Sequence, residues 1–597
     1  MSNVEGNTPA PRRIRWGLLI VLAVAALLIL GGVLMIAGLA SLAKGKTVMI
    51  KPASTLVLAL DRPLQEPQPD PFLTEFFHAR VYSVVDLTSA IDRAAKDDRI
   101  SSLLVEVTPA SVGLGKLQEV REAVERFKAS KKPVWAYFEA THTGGYYVAS
   151  AADKIYAPPT GNLMLGGPVA EIPFFRGVLD KLKVEPQLYH IGAYKSYSDT
   201  FMRKDMSDAQ REATDAILDS IYGQLVDGIA KGRKLSPDKV REAVDKCYLV
   251  GSQIRSLGLA DDLLYKDQVE DGLKKINGNE DRWHRVAVSD YINDHRVDLA
   301  AGAKKSLALV LASGGIVSGD SEPAGPFGSD NMGSDTVIRW LRRAGENESV
   351  AAVVFRVDSP GGSGLASDMI WRQVEVLRKT KPVVVSMSDV AGSGGYYIAM
   401  GADGIVAQPA TITGSIGVVS GKFVLKGLMD FIGYNQETLK RGANSDIFSG
   451  YDRFTPEQEK LVQDQMEVFY KDFVTKVAQG RKTTYEAVDR IAQGRIWSGE
   501  DALKLGLVDR LGGIHEAVAM AKEKAKLPAD EPVRIVIYPK PKSFFESLFQ
   551  GAGNEMARAR FLAAMPPELR QAYREYETLK PMAAQPFAAY EPVRVHM

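Results

Sequence analysis

Cysteine is almost absent from this 597-residue chain: Cys247 stands alone, so neither an intramolecular disulfide nor a thiolate metal cluster can form. Histidine is sparse, with 7 in all and none between His295 and His515. Neither a phosphate-binding P-loop nor a His-Glu-x-x-His pattern occurs, so neither ATP nor a metal or other cofactor is expected. Charge of one sign is lacking too. Lys and Arg number 74 against 73 Asp and Glu, a net charge of +1 with no long basic run, which leaves no overall field to favour a nucleic-acid partner. Hydrophobic residues at 45% and charged residues at 25% exclude collagen-like and extensively disordered architectures.

What the chain does have begins with an uncharged segment. Between Arg15 and Lys44 there is no charged residue, and Trp16 is followed by an apolar run from Gly17 to Ala43. That span exceeds the roughly 20 residues needed to cross a bilayer and can be accommodated by tilt. It is also longer than the apolar region of about 7–15 residues in a cleavable signal peptide. A retained transmembrane anchor over 17–43 is expected, preceded by a short cytoplasmic N-terminus, 1–16. Arg12, Arg13 and Arg15 on one side nearly balance Lys44, Lys46 and Lys51 on the other, so the positive-inside rule favours neither orientation strongly. The reading adopted is that everything after the span is exported.

Past the anchor the chain repeats itself at an interval of about 250 residues, a period long enough to mark a duplicated domain. Thr143-Gly144-Gly145-Tyr146-Tyr147 matches Ser393-Gly394-Gly395-Tyr396-Tyr397, Gly192-Ala193 matches Gly442-Ala443, and Gly232-Arg233-Lys234 matches Gly480-Arg481-Lys482. Two units are expected, over 47–300 and 305–530, followed by a C-terminal extension, 531–597. Each alternates strands and helices. Ala351 to Val357 suits a buried strand, Ala366, Ile370, Val374 and Leu377 recur at helical spacing, and Val383 to Met387 is a second strand. Strand, crossover helix and strand imply α/β units with mainly parallel sheets. Thr455-Pro456-Glu457-Gln458 has the form of a capping box, with Ser207 to Gln210 in the matching place. Val462, Met466, Phe469, Phe473 and Val477 form one apolar stripe and Ile217, Ile221, Leu225 and Ile229 another. The stretches Leu64–Pro71 and Ser313–Asp335 read as spacers, and Ser543–Phe549 as a loosely packed apolar tail.

The chemistry is unequal between the halves. In Ala391-Gly392-Ser393-Gly394-Gly395 a serine occupies a Gly-rich turn entering a helix, where a backbone can approach a substrate closely. The Gly394 N–H follows the serine directly. Asp358-Ser359-Pro360-Gly361-Gly362-Ser363 also opens a helix and offers a second N–H from Gly362. Two such donors would make an oxyanion hole. A nucleophilic serine needs a base. The second unit has no histidine, while His142 and His190 of the first unit are read as structural. A lysine is the other option, provided that its ordinary pKa of about 10.4 is lowered; spacing alone does not single one out.

These elements carry a resemblance. Ser359-Pro360-Gly361-Gly362, Gly392-Ser393-Gly394-Gly395-Tyr396-Tyr397, Thr413-Gly414-Ser415-Ile416-Gly417 and Gly192-Ala193-Tyr194-Lys195-Ser196 make the chain similar to the signal peptide peptidase A (protease IV) family, in its long membrane-anchored bacterial form. The resemblance covers nearly everything from the anchor to about Leu527. It implies tandem Clp-protease/crotonase-like repeats and a serine–lysine protease, with Ser393 as nucleophile, Lys195 as general base and Ser415 orienting the lysine. It further implies ATP-independent cleavage of remnant signal peptides, a homo-oligomer with a tetramer favoured, and a single-pass location in the bacterial inner membrane with the repeats in the periplasm. The repeat agrees: Thr143 aligns with Ser393 and Lys195 with Ser445, 52 residues apart in each unit. Leu165 stands where the second unit has Ser415. Each unit thus keeps half of a pair, which could meet within one chain or between neighbours. A crotonase-type acyl-CoA enzyme and a non-catalytic membrane-anchored scaffold are the rival readings.

Overall fold

The computed structural model describes residues 49–66, 82–109, 112–279, 281–294, 297–321 and 331–540, with two short C-terminal strands, Ala588–Tyr590 and Val595–His596. The expected anchor, 17–43, and the tail Ser543–Phe549 lie outside the described residues. Among those described, no helix is long and apolar enough to cross a membrane.

The two halves build the same sheet. In the first, parallel strands run in the order Asp262–Leu263, Lys154–Ala157, Val134–Tyr137, Ile100–Val107, Ser54–Leu60 and Arg285–Ala287. In the second, the matching order is Arg510–Leu511, Gly404–Ala407, Val383–Gly392, Val350–Ser359, Lys305–Ser313 and Val533–Tyr538. The last of these lies in the stretch read above as C-terminal extension. It is the counterpart of Arg285–Ala287 and closes the edge of the second sheet against Lys305–Ser313.

Local sequence explains these elements. Val350–Ser359 is buried over nearly its whole length, as a parallel strand covered on both faces must be. The helix Gly364–Leu377 buries Ala366, Ile370, Val374 and Leu377 and starts where the Ser363 hydroxyl accepts the Ala366 N–H at 3.3 Å. The helix Pro456–Gly480 has the capping box its sequence specifies: Thr455 Oγ1 accepts from Gln458 N at 3.2 Å, and Gln458 Oε1 accepts from Thr455 N at 3.1 Å. Both long apolar stripes face the core, with Phe469 only partly covered. The stretch Ser313–Asp335 is not a spacer throughout. Gly315–Val317 and Asn331–Gly333 pair in parallel, because Ile316 and Met332 are apolar enough to join the core.

From Ile50 onward the chain forms one compact unit, and two contacts join its halves. Glu185–Ile191 of the first pairs antiparallel with Val418–Val424 of the second, in register from Glu185–Val424 to Ile191–Val418. The other contact is ionic and buried. Arg356, 1% exposed, donates through Nε and Nη2 to the two carboxylate oxygens of Glu66 at 2.7 Å each, and through Nη1 to Glu119 Oε1 at 2.5 Å. Ser386 and Ser388 accept from the same guanidinium at 2.9 and 3.0 Å, and Ser388 also donates to Glu66. Burial pushes the Glu66 carboxyl up, but Arg356 and Lys116 together hold it well below the usual carboxylate range.

Breaking a buried ion pair from one side strands the other charge, at a cost of about 3–5 kcal/mol. Arg356→Met is therefore expected to lower unfolding free energy by about that amount in urea denaturation followed by circular dichroism; a loss below about 1 kcal/mol would contradict the role given to this pair. Because the folded-state pKa of Glu66 is depressed, its contribution is present above the ordinary carboxylate range and is lost as pH falls below it. Wild type should lose more stability on acidification than Glu66→Gln.

Candidate active site

Ser393 lies between the strand Val383–Gly392 and the helix Gly394–Ala399, with φ 54° and ψ −113°. Such a backbone disfavours any side chain and costs about 1–3 kcal/mol. It is held by two main-chain bonds, Ser393 N to Gly414 O at 2.8 Å and Tyr397 N to Ser393 O at 2.9 Å. The glycines beside it are required sterically. A methyl group on Gly394 would lie 2.7 Å from Ser367 Oγ and 3.1 Å from both Gly361 Cα and Gly362 N. The two residues expected to donate N–H groups, Gly362 and Gly394, therefore lie against each other beside Ser393. Gly362 itself has φ 153°, and a Cβ there would meet Ile316 O at 2.1 Å.

Lys195 arrives from the other half, on the loop that leaves Glu185–Ile191. That loop is pinned by Lys195 N to Gly192 O at 3.1 Å and Tyr194 N to Gln493 O at 2.8 Å. The side chain is 1% exposed. Its Nζ donates to Ser393 Oγ at 2.8 Å, to Ser415 Oγ at 2.8 Å and to Ser415 O at 3.0 Å. Lys195, Ser393 and Ser415 are thus brought together within a single chain. His190 is exposed, with Nδ1 3.0 Å from Gly192 O. Among the described residues no cluster of His, Cys, Asp and Glu is arranged to hold a metal ion.

The counterpart positions are unlike these. Thr143 begins the helix Thr143–Ala149 after an ordinary extended residue. Its hydroxyl donates to Gly166 O at 2.8 Å and accepts from Gly166 N at 2.9 Å. Leu165 is buried, and Ser445 is an exposed turn residue donating to Gly442 O at 2.8 Å.

Two supports escaped the sequence reading. Gly494, φ 75°, packs its Cα onto the lysine: a Cβ there would fall 2.5 Å from Lys195 N and Cβ. Gly417 does the same 3.1 Å from Lys195 Cδ. The only available signal for Gly494 was its place in Gln493-Gly494-Arg495, a turn pattern of low specificity. The second support is Lys116 of the first half, which donates to Asp358 Oδ2 at 2.7 Å and Asp389 Oδ2 at 2.5 Å. Asp358 also accepts from Val390 N at 3.2 Å. Burial opposes the Lys116 charge, but Asp358, Asp389 and Glu66 outweigh it and hold the ammonium above its ordinary range. Burial keeps Asp358 raised despite Lys116. These two aspartates precede Ser359-Pro360-Gly361-Gly362 and Gly392-Ser393, so one lysine fixes the roots of both loops.

A side chain at Gly494 must displace the Lys195 backbone, since its nearest neighbours are main-chain atoms. Gly494→Ala is expected to reduce kcat by about a hundredfold, the scale set by a misplacement near 1 Å, while KM changes little. Unchanged kcat in steady-state peptide hydrolysis would contradict this contact.

Comparison with known proteins bears on the whole chain. Peptidase family S49 matches residues 126–279 and 375–528, once in each half. Over 481 residues the chain is 34% identical to the chloroplastic serine protease SPPA of Arabidopsis thaliana, spanning 79% of this chain and 70% of that one. It is 35% identical over 459 residues to Protease 4 of Salmonella typhi, spanning 74% and 72%. The solved structure of ClpP1 from Listeria monocytogenes aligns at a TM-score of 0.23 and 13% identity, over 35% of this chain and 94% of that chain. Two matched segments and full-length relatives of this kind make the chain a member of peptidase family S49, a serine protease built from two tandem repeats.

Proposed function

We propose that the protein is a membrane-anchored, ATP-independent serine endopeptidase that uses a Ser393–Lys195 dyad to degrade signal peptides left in the membrane after export. The observation that carries the reading is the buried 2.8 Å contact between Lys195 Nζ and Ser393 Oγ. With the amine neutral, the polarity of that contact reverses and Lys195 takes the Ser393 proton. The serine oxygen attacks the scissile carbonyl, and the Gly362 and Gly394 N–H groups receive the oxyanion. Protonated Lys195 passes its proton to the leaving amine, and water then hydrolyses the acyl-enzyme. Ser415, accepting through both its hydroxyl and its carbonyl, keeps Nζ aimed at Ser393.

The uncharged segment 17–43 supports a single-pass anchor in the bacterial inner membrane with the repeats in the periplasm. Exposed apolar residues support an oligomer of this chain, with a tetramer favoured. Phe431 and Ile432 end the helix Lys426–Ile432, and Leu439 is 93% exposed.

Hydrolysis of an apolar signal-type peptide by the detergent-purified protein, without ATP, tests the reading. Ser393→Ala and Lys195→Ala should each lose at least about a thousandfold in kcat/KM. A mixture of the two variants should stay inactive after subunit exchange, because the pair meets within one chain; recovery would assign it to neighbouring chains. Full activity of either single variant would end the dyad reading. Since the base must be neutral, kcat/KM should rise with pH through one ionisation and fall away on the acid side.

A further inference from the structure

One sheet of the molecule is assembled from both halves and from the far C-terminus. Its order is Glu185–Ile191, Val418–Val424, Ala588–Tyr590, Gly361–Ser363, Gly315–Val317, Asn331–Gly333. The third strand comes from the last ten residues of the chain. It runs antiparallel to Gly361–Ser363, with Tyr590 opposite Gly361, Ala589 opposite Gly362 and Ala588 opposite Ser363, and Ala588 also pairs with Val419. Further on, Val595–His596 pairs antiparallel with Val169–Ala170 of the first repeat, so the terminus is tied at two points.

The strands on either side of Ala588–Tyr590 are those that frame Ser393. Gly361–Ser363 contains Gly362, which lies against Gly394. Val418–Val424 begins three residues after Ser415, and its other neighbour, Glu185–Ile191, leads into Lys195. The C-terminal strand is the shared partner of both. Without it their unpaired edges would face each other across a slot one strand wide, which an extended peptide can fill through main-chain hydrogen bonds alone. The residue opposite Gly362 is Ala589, so the chain in the slot runs past one of the two N–H donors assigned to the oxyanion hole.

We propose that the segment Ala588–Tyr590 is an intramolecular occupant of the substrate cleft, a strand of the protein's own chain that an incoming peptide must displace. The proposal rests on the assignment of Ser393 and Lys195 as the catalytic pair. Tethering gives such a strand an effective concentration in the millimolar range, so it competes with free peptide even if its intrinsic affinity is weak. Substrates held by main-chain pairing and present at high local density, such as peptides confined to a membrane, are those best able to displace it.

The test is a binding measurement in the Ser393→Ala background, where no turnover consumes peptide or tail. Fluorescence anisotropy of a fluorescein-labelled apolar signal-type peptide would compare the full-length chain with a chain ending at Pro586. A full-length chain carrying Ala588→Pro and Ala589→Pro serves as a second variant. The prolines remove N–H donors from a strand flanked on both sides and leave the rest of the terminus in place, which covers a truncated chain that folds poorly. Both variants should bind the probe at least about threefold more tightly, and a synthetic peptide spanning 583–597 should compete with it on the truncated protein. Equal affinity in all three chains, or no competition by that peptide, overturns the proposal. The catalytic assignment fails separately, by persistence of peptide hydrolysis when Ser393→Ala is placed in the truncated chain.

Discussion

The site depends on a guanidinium that never reaches water. Arg356 belongs to a central strand of the second repeat, while Glu66 and Glu119 belong to the first. Lys116 extends the cluster to Asp358 and Asp389. Two cations thus face four carboxylates, and the balance is reached by protons. Burial raises Glu119, with the neighbouring Glu66 charge adding to it, and burial raises Asp358, whereas Arg356 keeps Glu66 ionised. Replacing such a cluster by apolar side chains is often no less stable, so its value here is register. Bidentate and fork-like contacts are directional, and a slip of one residue between the repeats would break all of them. The same slip would separate Lys195 from Ser393.

Two halves of one reaction have been kept apart, and the structure shows why neither repeat retains a complete site. Thr143 spends its hydroxyl on both main-chain groups of Gly166. The residue aligned with Lys195 is the exposed Ser445. A lysine that must shed its proton needs burial, and Lys195 gains it from the other repeat: Gly417 and Gly494 are bare of side chains where its stem and backbone pass. The interface therefore does more than join domains. It supplies the dry environment that a lysine base requires.

Much of this was legible in order of distance along the chain. Val350–Ser359, Gly364–Leu377 and the capping box at Thr455 follow from nearest-neighbour spacing, and the duplication exposed Ser393 and Lys195 as odd ones out in otherwise matching segments. The Arg356 cluster was not legible. Its members are separated by 237 and 290 positions, and no local pattern announces a pair that forms only when two sheets dock. Gly494 was hidden for the same reason, since the atoms that forbid a side chain there belong to Lys195. Ser313–Asp335 misled by composition: a segment rich in Gly and Ser still buries Ile316 and Met332. Ala588–Tyr590 has neither alternation nor length, and its pairing is decided entirely by the edges it meets.

Backbone strain marks which repeat performs the chemistry. Ser393 and Ser415 have φ of 54° and 51°, and Gly361, Gly362 and Gly414 have φ of 106°, 153° and 79°. The first-repeat turn has no comparable feature: His142, ahead of Thr143, is ordinary extended chain at φ −119°. Holding two serines in a region that glycine prefers costs about 1–3 kcal/mol each, and the fold offsets this with the bonds Ser393 N to Gly414 O and Ser415 N to Arg495 O, 2.8 and 2.7 Å. The outlay has a geometric return. With φ reversed, a serine at a helix start turns its hydroxyl toward a side chain arriving from another domain while the next N–H remains free of the strand ladder. A reactive serine, a donor at Gly394 and room for Lys195 Nζ then follow from one inverted dihedral, and that coupling explains why the strain is confined to the half that carries Ser393.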